Sequence, residues 1–257
     1  MNSEKDYVYE VETEVSLLNE NNILKPYAYQ ILFAQLVEQH LNNINLNIDF
    51  TLKYSMAWAL RSLSIELVKP IEVCIKMYAS TWYSQRRGPF FRREFIFRNE
   101  NGEVLFQGSS FSVLLNVEKH TIYRKKELPF LFNEPIEDFT IEANPTFKPN
   151  LEFDKIAERK VFNSYIDYLG HVNNCRYGEF AYDAFTDEER QNLARLKRMD
   201  FYFLSELRNK DTFSLLKTYD GNKLLIRGYN NIKDNLAFDI IMAVSYTHLT
   251  LPTNREV

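Results

Sequence analysis

Glycine and cysteine are scarce in this chain, with seven and two among 257 residues. The glycines are scattered, so there is no phosphate-cradling loop and no dinucleotide-binding fingerprint. No GxSxG elbow occurs, which argues against a serine hydrolase of that type. The two cysteines, Cys74 and Cys175, lie far apart and supply neither a disulfide framework nor a zinc pattern. Such usage favours a reducing, cytoplasmic setting. None of the four histidines, His40, His120, His171 and His248, has a metal-ligand spacing to another. No metal and no cofactor are therefore expected. No apolar run approaches the roughly 20 residues of a membrane span, and the opening Met-Asn-Ser-Glu-Lys-Asp has no apolar signal segment. A net charge of −4 argues against a nucleic-acid partner.

Aromatic residues, by contrast, are plentiful: 20 Phe and 16 Tyr in a chain that is 45% hydrophobic. That supply suits strand-rich structure with large cores. Hydrophobic spacing predicts a helix over Tyr27–Leu41, with Pro26 near its start, where a missing N–H costs little. Strands are expected at Met56–Val68, Glu72–Tyr83, Phe91–Arg98 and Val104–Asn116, with a turn at Asn99–Gly102. The plan then repeats. A strand is expected near Ile156–Phe162 and a helix at about Asn173–Phe185. Further strands follow at Lys197–Glu206, Thr212–Tyr219, Lys223–Asn230 and Ala237–Ala243, with a hairpin at Asp220-Gly221. Strands in succession imply antiparallel pairing. The fold class is therefore α+β with an internal duplication. The expected boundaries are 1–117 for the first unit, 118–152 for a proline-rich linker that crosses the surface, and 153–243 for the second. Residues 244–257 read as a non-native tail, because Val244–Thr253 matches the in-frame translation of a sequencing adapter. His248 is accordingly set aside.

The segment Asp167-Tyr-Leu-Gly-His171-Val-Asn-Asn174 carries the chemistry. A carboxylate and an imidazole sit four apart, with Gly170 between them, just before a helix. A helix N-terminus presents free N–H groups and partial positive charge, which can stabilise an oxyanion. Read locally, the same residues form a helix cap, since Asn173 and Asn174 are good N-caps. Cys175 lies inside the predicted helix and reads as a small core residue rather than a nucleophile. Trp58 and Trp82 read as core.

This segment resembles the signature of hotdog thioesterases, in which Asp precedes Gly-His-Val-Asn-Asn and a helical Tyr, here Tyr177, follows three residues later. Over residues 8 to 243 the chain resembles the acyl-acyl carrier protein (acyl-ACP) thioesterases of bacteria and plants. Trp58 with Arg61, Ile65-Glu66, Lys69-Pro70, Thr81-Trp82 and Arg93-Glu-Phe95 look like that family's N-terminal domain. The resemblance implies a tandem hotdog fold, each unit a long helix wrapped by an antiparallel sheet. It also implies acyl-chain binding in the first unit and catalysis in the second. The expected activity is hydrolysis of fatty acyl-ACP to free fatty acid, with acyl carrier protein as partner and a monomer or homodimer as the assembly. An acyl-CoA thioesterase and a non-catalytic acyl-binding homologue are the alternatives. Carried over by position, Asp167, His171 and Glu206 fall on catalytic positions, and Asn173 and Asn174 on the oxyanion end of the helix. Leu169 stands where the family commonly has Asn, and Leu207 where its plant members have Cys. Two basic clusters, Arg86-Arg87 with Arg92-Arg93 and Arg195 with Lys197 and Arg198, read as solvated surface; the functional reading is a dock for an acidic carrier protein.

Overall fold

The computed structural model describes residues 3–69, 71, 75–119 and 121–245. Cys74, His120 and His248, together with Pro70 and the expected strand start at Glu72, lie outside the described residues.

The first half runs β1 (Tyr9–Glu12), α1 (Pro26–Asn43), α2 (Ile48–Leu52), β2 (Met56–Leu67), β3 (Lys76–Arg87), β4 (Phe90–Arg98), β5 (Val104–Asn116) and a two-residue β6 (Thr121–Ile122). The second runs β7 (Asp154–Lys160), α3 (Asn174–Tyr182), α4 (Asp187–Asn192), β8 (Leu196–Phe203), β9 (Thr212–Asp220), β10 (Lys223–Asn230) and β11 (Asn235–Val244). All strands join one antiparallel sheet in the order β1-β3-β4-β5-β2-β8-β11-β10-β9-β7, with β6 on β5. Each half contributes five strands in the same relative order, so the expected duplication is present at the level of topology. This is a tandem hotdog. The halves meet where β2 pairs with β8, Ser64 opposite Asp200.

The helices lie on one face of this sheet. Tyr29 and Phe33 of α1 meet Phe106 and Phe95 at centroid distances of 5.1 and 4.9 Å. Phe180 and Tyr177 of α3 meet Phe213 and Phe238 at 4.9 Å each. Burying each such ring contributes on the order of 2 kcal/mol. The second helix is shorter than its counterpart, nine residues against 18. The two helices touch closely: a Cβ on Gly178 would lie 2.1 Å from Gln30 Oε1 and 2.9 Å from Tyr27 Cβ. Only glycine permits that approach.

Residues 123–153 contain no helix or strand. They are nonetheless pinned to the outer face of the sheet. The buried Glu94 carboxylate accepts from Arg92 Nε (2.6 Å), Ser84 Oγ (2.8 Å), Thr140 Oγ1 (2.7 Å) and Thr140 N (3.1 Å). Trp82 Nε1 donates to the Asp138 carbonyl and Ser62 Oγ to that of Asn144. Strand alternation accounts for Arg93-Glu-Phe95: Glu94 faces this segment, while Phe95 faces α1. Loss of the Glu94 carboxylate leaves the Arg92 guanidinium buried and unpaired. Glu94→Ala should cost about 3–5 kcal/mol, read as a lower denaturation midpoint in urea; a loss below about 1 kcal/mol would show that the latch contributes little.

Candidate active site

The segment before α3 folds into a tight hairpin. Ile166 and Val172 form a bridge, Asp167 N donates to His171 O (2.9 Å), and Gly170 N donates to Asp167 O (3.0 Å). Gly170 takes φ +82°, a conformation that side chains with a Cβ resist. Asp167 Oδ1 accepts from Leu169 N (2.9 Å), and its other oxygen lies 3.3 Å from His171 Nδ1. Both side chains are largely buried. Asn173 caps α3, its Oδ1 accepting from Cys175 N (2.9 Å). Asn174 N, the first amide of the helix, has no acceptor within the helix.

Glu206 lies beyond the end of β8, which stops at Phe203 rather than reaching Glu206 as the sequence pattern suggests. Val172 N donates to Leu207 O (2.8 Å), and His171 bridges Arg208, so the Glu206 segment runs alongside the hairpin. Leu207 N donates to the buried Tyr177 hydroxyl (3.3 Å), which ties this segment to α3. Leu207 and Val172 are buried; by alternation, Glu206, Arg208 and His171 face the other way. The Glu206 carboxylate accepts from Arg208 Nη2 (2.9 Å) and is half exposed. Among the described residues no hydrogen bond joins it to Asp167 or His171. Burial of the half-buried Cys175 pushes its thiol up to about 12, so it is not a thiolate nucleophile.

A cavity of about 380 Å³ opens beside this hairpin. Its walls come chiefly from the first half: Phe33, Val37 and Leu41 of α1, with Trp58, Leu60 and Phe91 of the sheet. Tyr168, Leu169 and Asn174 close one side of it. The loop of one half thus stands against the helix-to-sheet crevice of the other. Trp58, expected in the core, is only half-buried and lines this cavity, whereas Trp82 is buried as expected.

The first half holds a second copy of the same hairpin, which the sequence pattern does not disclose. Leu18 bridges Leu24 as Ile166 bridges Val172. Asn19 N donates to Ile23 O (2.9 Å), as Asp167 N does to His171 O. Asn21 N donates to Asn19 Oδ1 (2.9 Å), as Leu169 N does to Asp167 Oδ1. Asn22 holds φ +59° where Gly170 stands in the second copy. The backbone is therefore duplicated while the chemistry is not: Asn19 replaces Asp167, and Ile23 replaces His171. The matching crevice, lined by Phe185, Leu196 and Met242, is only about 50 Å³. One loop of the pair retains ionisable groups, and that loop faces the large cavity. Asn-Asn ahead of Ile-Leu was the available signal in the sequence, too common a pattern to single out.

Arg87, Arg195 and Lys197 are exposed as expected, whereas the other members of the two basic clusters are engaged within the fold. Arg92 and Arg93 are not surface residues; Arg92 is spent on Glu94, and Arg93 lines the cavity. Arg198 is chelated by Asp200 (2.9 Å) and donates to Glu142 O. Arg86 donates to the carbonyls of Lys125 and Lys126.

Residues 6–127 match the family described as the acyl-ACP thioesterase N-terminal domain. The fold as a whole superposes on solved structures. One is an acyl-ACP thioesterase from Bacteroides thetaiotaomicron, at a TM-score of 0.78 and 20% identity, covering 95% of this chain and 100% of the other. Another is a 12:0-ACP thioesterase from Umbellularia californica, at 0.75 and 15%, covering 93% and 97%. A third is an oleoyl thioesterase from Lactobacillus plantarum, at 0.71 and 15%, covering 94% and 98%. A search of curated protein sequences gives no match. Family match and fold together define the class: a hotdog thioester hydrolase. Residues 6–127 match that family's N-terminal domain, and the whole chain has the fold of solved acyl-ACP thioesterases.

Gly170→Ala places a Cβ in open space but at a backbone angle that costs roughly 1–2 kcal/mol. The hairpin should relax and separate Asp167 from His171. Thioester hydrolysis should then fall about 10-fold or more while the melting temperature shifts by only a few degrees; an unchanged rate would show that the turn geometry does not matter to the site.

Proposed function

We propose that this chain hydrolyses fatty acyl thioesters carried on acyl carrier protein, releasing free fatty acid and holo-carrier and so ending fatty acid synthesis. The observation that carries this reading is the contact between the Asp167–Asn174 hairpin and an apolar cavity suited to an acyl chain. The first half then binds the chain, the second supplies the reacting groups, and residues 123–153 connect them. A cytoplasmic site of action agrees with this substrate and with the sparse cysteines.

The geometry supports the following division of labour. Asp167 lies against Nδ1 of His171 and is itself held by Leu169 N, so it fixes the imidazole and leaves Nε2 to face the substrate. His171 Nε2 takes a proton from water, and the resulting hydroxide attacks the thioester carbonyl carbon. The oxyanion forms at the N-terminus of α3, where Asn174 N is available and Asn173 holds the first turn open. The C–S bond then breaks, and the proton on His171 passes to the departing thiolate. Glu206 holds the attacking water from the adjacent segment once it is released from Arg208. Leu169 supplies apolar rim rather than the hydrogen bond an asparagine would give.

That leucine favours a non-catalytic acyl-binding homologue, and the enzyme alternative is an acyl-CoA thioesterase on the same fold. Comparing the two thioesters as substrates separates the two enzyme readings. His171→Ala and Asp167→Asn should each lower kcat for acyl-ACP by about 10²-fold or more, and Glu206→Ala by about 10-fold or more. Near-native rates in all three folded variants would overturn this assignment.

A further inference from the structure

The floor of the cavity carries a polar row that a plain hydrocarbon chain does not need. Tyr83 on β3 is the registered partner of Arg93 on β4, and Arg93 is the registered partner of Ser110 on β5. All three line the cavity. Tyr83 and Ser110 are 5% and 2% exposed, and among the described residues neither hydroxyl has a hydrogen-bond partner. Arg93 donates one bond, from Nη1 to Glu4 Oε2 at 3.2 Å. A guanidinium has five N–H donors, and the others have no protein acceptor among the described residues. Three adjacent side chains therefore present unspent donors to a cavity whose nearby walls are Phe33, Val37, Leu60 and Phe91.

The charge around the row is balanced from behind. Burial works to raise the Glu4 carboxyl, but hydrogen bonds from His40, Asn133 and the Tyr83 amide, with the charge on Arg93, outweigh it and hold the group at about 2. Glu4 is thus an anion that compensates Arg93. Burial lowers the pKa of His40, which keeps its ring neutral, and burial raises that of Tyr83, which keeps its phenol a donor. Donors without net charge suit a neutral oxygen rather than a second carboxylate. Methylenes packed over these groups would leave each donor without a hydrogen-bond partner, which is unfavourable.

We propose that the Tyr83–Arg93–Ser110 row is a subsite for a neutral oxygen carried on the acyl chain, a hydroxyl or ketone substituent that accepts hydrogen bonds from these side chains. This rests on reading the cavity as the acyl channel. The reaction that supplies such a substrate must therefore leave oxygen on the chain, as a hydroxylation or an incomplete reduction does.

The test uses acyl-ACPs of matched length, one plain and the others with a hydroxyl at successive positions. For at least one position kcat/KM should exceed that of the plain chain by about 10-fold. In the double variant Tyr83→Phe, Ser110→Ala that ratio should fall to near one. A wild type that prefers the plain chain at every position, or a ratio that survives in the double variant, overturns the subsite. If no thioester is hydrolysed, the thioesterase reading fails, and calorimetric binding of the free acids still decides the subsite. There the hydroxy acid should bind about 10-fold tighter than the plain acid to the wild type and not to the double variant; equal affinities would overturn the proposal.

Discussion

The pairing of β2 with β8 is the constraint on which the site depends. Ser62–Glu66 run antiparallel to Tyr202–Arg198, and through them two five-strand units become one sheet. Because both helices lie on the same face of that sheet, the join brings α1 and α3 together, with Gly178 against Tyr27. The hairpin ahead of α3 is thereby held over the crevice of the opposite half. The cavity walls and the ionisable groups come from different halves and meet only because these strands pair. A related consequence is economy of function: two equivalent hairpins exist, but only the copy with Asp167 and His171 faces a crevice of about 380 Å³.

Polar interactions on the two faces of β4 do separate work. Outward, Glu94 gathers Arg92, Ser84, Ser109 and Thr140 and fixes the connecting segment against the sheet. Inward, Arg93 meets Glu4, whose carboxylate also bonds His40 and the Asn133 side chain. The N-terminal residues are thus part of the structure behind the cavity floor. A charge at each of these positions is tolerated because each is paired and hydrogen-bonded.

Much of this was legible in the sequence. Helical spacing located α1 to within two residues at each end, and strands β2, β5 and β10 fell close to their expected limits. The Asp167–Asn174 segment was readable because glycine, histidine and two asparagines stand together there. The second hairpin was not, because Asn19, Asn22 and Ile23 keep the backbone without the recognisable side chains. The short β1 and α2 also escaped: four and five residues give too little periodicity. Arg92 and Arg93 were misread as surface because a doubled arginine looks solvated until strand alternation sends its two members to opposite faces. Glu206 was placed on a strand by its apolar neighbours, whereas β8 ends three residues earlier and the chain continues along the hairpin.

The central claim is that one hairpin and one cavity, contributed by opposite halves, together hydrolyse a carrier-bound acyl thioester. The most direct measurement is release of free fatty acid from a panel of acyl-ACPs of different lengths, with the corresponding acyl-CoAs alongside. The account predicts multiple turnovers, a maximum at a chain length set by the cavity, and faster release from the carrier protein than from coenzyme A. Absence of free acid with every chain length, from a folded protein, would contradict it.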